Sequence, residues 1–101
     1  MSQAIETTYG SCIRFELAFT DETGAPEDIS DDELGILLAS NEAFQDAVFT
    51  KTSPIEGKAQ FFLNEDAAKR LFKGRTNWFR LRRTLPGGCE DNSEPIWVTV
   101  R

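Results

Sequence analysis

Ser11-Cys12-Ile13-Arg14-Phe15-Glu16-Leu17-Ala18-Phe19-Thr20, followed at once by Asp21-Glu22-Thr23-Gly24-Ala25-Pro26, decides how the chain is read. Ile13, Phe15, Leu17 and Phe19 alternate with Cys12, Arg14, Glu16, Ala18 and Thr20. Side chains repeat every two residues only on an extended backbone, so this is a half-buried strand. The Asp-Glu-Thr-Gly-Ala-Pro run then breaks it with turn chemistry.

Working outward, residues 34–39 and 47–52 read as the second and third strands, with a short helical turn available to 40–46. Pro54 and Gly57 bracket a turn, and a fourth strand over 58–63 points Ala59, Phe61 and Leu63 inward. Asn64 is placed to cap a short helix over 65–73. Glu65 and Asp66 fall in its first turn, Lys69, Arg70 and Lys73 in its last, and Gly74 sits where a helix-ending glycine belongs. Residues 77–85 make a fifth strand, 86–94 a glycine-containing loop and 95–100 a sixth strand with Ile96, Val98 and Val100 inward. Residues 1–10 show no periodicity and read as a flexible N-terminal arm, leaving 11–101 as one domain. Six to seven short strands separated by turns predict a mainly β fold, a β-sandwich or small barrel with one short helix.

A chain of 101 residues has room for one core, and eight Phe and two Trp supply much of it. Seventeen acidic against 11 basic residues leave a net charge of −6, which repels phosphate backbones and argues against nucleic acid. The charge is uneven. Acids crowd residues 21–33, whereas Lys69, Arg70, Lys73, Arg75, Arg80, Arg82 and Arg83 crowd the later part. Opposite poles suit head-to-tail association of identical subunits; two solvated faces are the alternative reading. No signal peptide and no membrane-spanning run is visible, so folding in a cytoplasm is expected.

Catalytic chemistry finds little to work with. There is no histidine, so neither a Ser–His nor a Cys–His pair can form. Gly87-Gly88 is not followed by Lys-Ser or Lys-Thr, so no phosphate-cradling loop exists there. Asp31-Asp32-Glu33 has the atoms for Ca²⁺ or acid–base work, but a solvated acidic turn is the simpler reading. The expectation is a non-enzyme with no cofactor and no metal.

What remains is binding. Trp78, Arg80 and Arg82 interleave aromatic and basic residues on one strand face, and Trp97 and Arg101 do so on the next strand. Such interleaving serves nucleic-acid binders, but in an acidic chain a protein interface fits better, since Trp and Arg anchor partners. A hairpin register that sets Arg82 against Trp97 and Trp78 against Arg101 would gather them in one patch. Cys12 and Cys89 fall on an outward strand face and in a loop. Both are expected to be accessible for an inter-subunit disulfide, an intramolecular bridge being the competing reading.

Phe15-x-Leu17-x-Phe19-Thr20-Asp21-x-x-Gly24-x-Pro26-x-Asp28-Ile29-Ser30 resembles the opening of the small immunoglobulin-like modules of tailed-phage particles, such as the N-terminal domain of baseplate upper proteins. The stretch from Gly57 to Leu63, a short helix closed by Gly74, the aromatic strand around Trp78 and the closing strand up to Val100 follow in the same order. The resemblance implies an immunoglobulin-like β-sandwich and a virion structural protein, homo-oligomeric in the assembled particle. It implies other virion proteins and further copies of the chain as partners. A small monomeric binding module, such as a host-protein inhibitor or a carbohydrate-binding sandwich, is the alternative.

Overall fold

The structure is a computed structural model and describes residues 4–101. Seven strands form two sheets: β1 (Ala4–Thr7), β2 (Ile13–Ala18), β3 (Glu33–Ala39), β4 (Val48–Ser53), β5 (Lys58–Leu63), β6 (Thr76–Thr84) and β7 (Ile96–Val100). One sheet runs β1-β7-β6-β3 and the other β2-β5-β4. The three-stranded sheet thus has the B-E-D order of an immunoglobulin sandwich, and β3, β6 and β7 take the C, F and G places. The first strand lies on the G side, parallel to β7. The two sheets pack as a sandwich and do not close into a barrel.

Phenylalanine holds the sheets together. Phe61 on β5 stacks on Phe15 of β2 at 4.6 Å and, across the sandwich, on Phe79 of β6 at 5.0 Å. Phe49 meets Phe61 edge-on at 5.6 Å, and Phe44, from a 3-10 turn over Glu42–Asp46, packs on Phe79. Ring pairs at these spacings add to the gain from burial alone. Both cysteines are exposed and free, so the ring stack, and not a disulfide, joins the two sheets.

The residues that carried the turn motif have local work. The Asp21 carboxylate accepts hydrogen bonds from the Thr23 N–H, the Thr23 hydroxyl and the Ala25 N–H, and Gly24 takes φ +87°. Asp28 accepts from the N–H and hydroxyl of Ser30, and Ile29 between them is fully buried. Gly57 closes this loop against the β4–β5 turn. Its φ is +71°, and a Cβ there would meet the carbonyls of Phe19 and Glu27 at 2.5 and 2.6 Å. Backbone on both sides leaves room only for glycine.

The same hydrogen bonds give a pH dependence. The Thr23 hydroxyl first, then the Thr23 and Ala25 amides, hold the Asp21 carboxyl below its usual 3.8. The Ser30 hydroxyl and amide do the same for Asp28. Since the folded values lie below the unfolded ones, this stabilisation is complete above the unfolded value and is lost as pH falls through the folded one. Acid titration of unfolding from about pH 5 to about pH 2 should therefore show a smaller loss in Asp21→Asn/Asp28→Asn than in the parent. Equal losses would show that the two turns carry no pH-linked stability.

Two expectations need correction. The arm expected to be free over 1–10 contains β1, with Ile5 packed on the core and the Arg101 N–H bonded to the Thr7 carbonyl. Four residues are too few for alternation to show, and their partner lies at the far end of the sequence. The expectation for residues 1–3 lies outside the described residues. The helix expected over 65–73 is α1, Glu65–Ala68 only. Asn64 caps it as expected, accepting from the Ala67 N–H. Beyond it, however, the Arg70 and Leu71 amides bond three residues back, and the buried Asn77 side chain takes both the N–H and the carbonyl of Phe72. The Gly74 N–H then bonds to Val100. Tertiary partners have taken the backbone groups a longer helix would need.

Candidate protein-binding face and charged end

Along β6, Asn77, Phe79, Leu81 and Arg83 are buried, so Trp78, Arg80 and Arg82 point out of the sandwich. On β7, Ile96, Val98 and Val100 are buried and Trp97 points out. The hairpin register differs from the one expected: Trp78 stands directly opposite Trp97, with Phe79 opposite Ile96. Directly opposed side chains have Cβ atoms about 5 Å apart, so the two indoles are neighbours. Arg101 does not reach Trp78; its guanidinium donates to Glu6 of β1 at 2.8 Å. The predicted patch is thus one face, with Arg101 at its margin.

Leu38 was not legible as part of this face. A bulge between Ile36 and Leu38 lets both Ile36 and Ala39 face inward, setting Leu38 opposite Arg80 and 54% exposed. Nothing in the run Ile36-Leu37-Leu38-Ala39 announces such a slip. Arg80 donates through Nε to the Ser93 carbonyl at 2.9 Å, and Arg82 stands opposite Gly35. The face is therefore two Trp and a Leu with two arginines beside them, Arg80 held by Ser93 and Arg82 exposed.

Arg83 does what its neighbours do not. Its side chain is 5% exposed and donates to Asp32, 3% exposed, at 2.6 Å. Glu27 at 3.4 Å and Asp91 at 3.5 Å complete the cluster, and the guanidinium lies over the Phe19 ring. Burial pulls its pKa down, but the bonds to Asp32 and Glu27 more than offset this and leave it raised. Lys51 reaches from β4 to the carbonyls of Ser30 and Asp32, tying the second sheet to the same loop. The strict alternation of β6 was the sequence signal for an inward Arg83, two residues past Leu81.

The predicted pair of opposite poles resolves into one. Glu90 pairs with Thr84, so the β6–β7 loop brings Glu90 and Asp91 beside the acids of residues 21–33. At the other end the bases meet carboxylates: Lys69 pairs with Glu65, Arg70 with Asp46 and Arg101 with Glu6. Only Lys73 and Arg75 lack a carboxylate partner there among the described residues. Excess negative charge thus collects at the Arg83 end. No three His, Cys, Asp or Glu among the described residues are grouped to hold a metal ion.

Cys12 and Cys89 are both exposed free thiols, not bridged to one another. A groove opens between Phe19 and residues 91–93, with a volume of about 320 Å³. It runs on in one direction to a smaller cleft walled by Leu17, Leu81 and Ile96, and in the other to Asp21 and Glu22.

No family model matches the chain, and no curated protein matches it.

Proposed function

We infer that the chain is a structural protein of tailed-phage particles, made in the bacterial cytoplasm and resident in the virion. It serves as an adaptor or decoration element of tail, collar, baseplate or capsid, in contact with other virion proteins and with copies of itself. The observation that carries this reading is the outer face of β7, β6 and β3, where Trp78, Trp97 and Leu38 lie beside Arg80 and Arg82 on a rigid sheet. Trp and Arg are the residues that most often anchor protein partners, and a Trp pair on an open sheet face costs a free monomer solubility. The turn-and-strand order that resembles phage modules supports the virion assignment. Carboxylates massed at one end work against nucleic acid as partner. Cys12 and Cys89 stand ready to cross-link neighbouring copies once particles leave the reducing cytoplasm.

The test is the double variant Trp78→Ser/Trp97→Ser. Both residues lie on the outer face, Trp97 exposed by 38% and Trp78 half-buried, so the variant should still fold, with a modest drop in melting temperature, and is compared with the parent well below that temperature. Its incorporation into particles should fall at least about tenfold, the loss of one anchor or more. Normal incorporation would overturn the reading. A lone monomer that captures one host protein, or a sugar that stacks on the indole pair, would support the monomeric binding module instead.

A further inference from the structure

The two ends of the sandwich differ in shape as well as charge. At one end Leu71 is buried, but Phe72 is 49% exposed, because Asn77 holds both its backbone groups and turns it outward. Lys73, lying over the Tyr9 ring at 5.2 Å, and Arg75 flank it, neither with a carboxylate partner among the described residues. This is an aromatic knob with two uncompensated cations. The opposite end carries the groove. Its wall includes the half-buried Phe19, with Leu81 buried beneath it, and its rim carries Glu22, Glu27 and Asp91. Among the described residues the one cation lining it is Arg83, which three carboxylates, Asp32, Glu27 and Asp91, share; with Glu22 the groove keeps a surplus of negative charge. From Arg75 to Arg83, β6 covers about 26 Å at the usual strand rise, most of the molecule's 37 Å length.

The geometry points to a second copy of this chain as the occupant of the groove. Phe72 of one copy seats against the half-buried Phe19 of the next, while Lys73 and Arg75 meet its Glu22 and the outer carboxylates Glu27 and Asp91. Knob and groove lie at opposite ends, so the contact is heterologous: each copy that offers a knob also offers an empty groove, and the association continues head to tail. This rests on the self-association in the proposed function but uses a surface separate from the tryptophan face.

Sedimentation velocity on the full chain tests it, carried out in the Trp78→Ser/Trp97→Ser background so that the tryptophan face contributes nothing. That protein should form dimers and longer species at about 0.05 M salt and associate at least about tenfold more weakly at about 0.5 M. Adding Phe72→Ser/Arg75→Glu removes the knob; adding Ala18→Trp/Glu22→Lys, at two exposed positions, blocks the groove. Each should be monomeric alone, and a mixture of the two should form a one-to-one dimer that grows no further. Where a double variant melts early, the single reversals Arg75→Glu and Glu22→Lys replace it, and their mixture should associate more tightly than either alone. A background protein that stays monomeric, a variant that associates like its parent, or a mixture that stays monomeric would overturn the proposal. Particle incorporation of a chain that is monomeric in solution would sink this contact alone, whereas normal incorporation of the tryptophan variant would sink only the reading above.

Discussion

Replacing Arg83 by alanine should lower the unfolding free energy by about 3–5 kcal/mol, the cost of leaving a buried charge without its partner. Asp32 is 3% exposed and loses the guanidinium that now sits 2.6 Å away. Removing Arg83 also takes away its side-chain ties to Asp91 of the β6–β7 loop and to Glu27 of the β2–β3 loop, leaving only the backbone bonds of those loops. For a domain with about 5–15 kcal/mol in hand, that is a large fraction of its stability. Urea unfolding followed by tryptophan fluorescence would show it as a fall in midpoint. The companion variant Asp32→Leu/Arg83→Met removes both charges and should recover most of the loss, because a well-packed apolar pair often equals a buried ion pair. A single variant within about 1 kcal/mol of the parent would mean that solvent reaches the pair and screens it.

Phe61→Ala is expected to cost about 3–5 kcal/mol, for a different reason. Phe61 is fully buried and touches three other rings, with Phe15 and Phe49 in its own sheet and Phe79 in the facing one. Truncation leaves a cavity between the sheets that no neighbour can collapse into, since each surrounding ring is held by its own strand. The control is Phe72→Ala. Phe72 is half exposed, so its loss should change stability by no more than about 0.5 kcal/mol. A Phe61 variant as mild as the Phe72 one would show that the sheets are not held by this stack.

Most strand assignments follow from alternation. The inward set Ile13, Leu17, Ala59, Phe61, Leu63, Phe79, Leu81, Ile96, Val98 and Val100 is buried as the period of two requires. Period two reports which face a residue is on, and so it also placed Trp78, Arg80, Arg82 and Trp97 outside. It does not report which residue stands opposite which. That depends on loop geometry, and the loop over 85–95 folds back on Arg83 and Leu81 through bonds from Asp91 and Ser93. The Trp78–Trp97 pairing, in place of the alternatives drawn from the sequence, is the consequence.

The class of fold, the aromatic composition of its core and the faces of its longer strands could be read from the sequence. Each of these rests on residue types and on spacings within one segment, which physics reads locally. Only the tertiary structure decided the parallel strand β1, the length of α1, the bulge that exposes Leu38 and the fate of the charges. Lys69 and Arg70 belong to a basic stretch in the sequence, but folding sets a carboxylate beside each. Arg83 looks like their neighbour, but the strand turns it inward to Asp32, 51 positions away. Charge acts through space and falls off with distance, so its balance belongs to the fold and not to the order of residues.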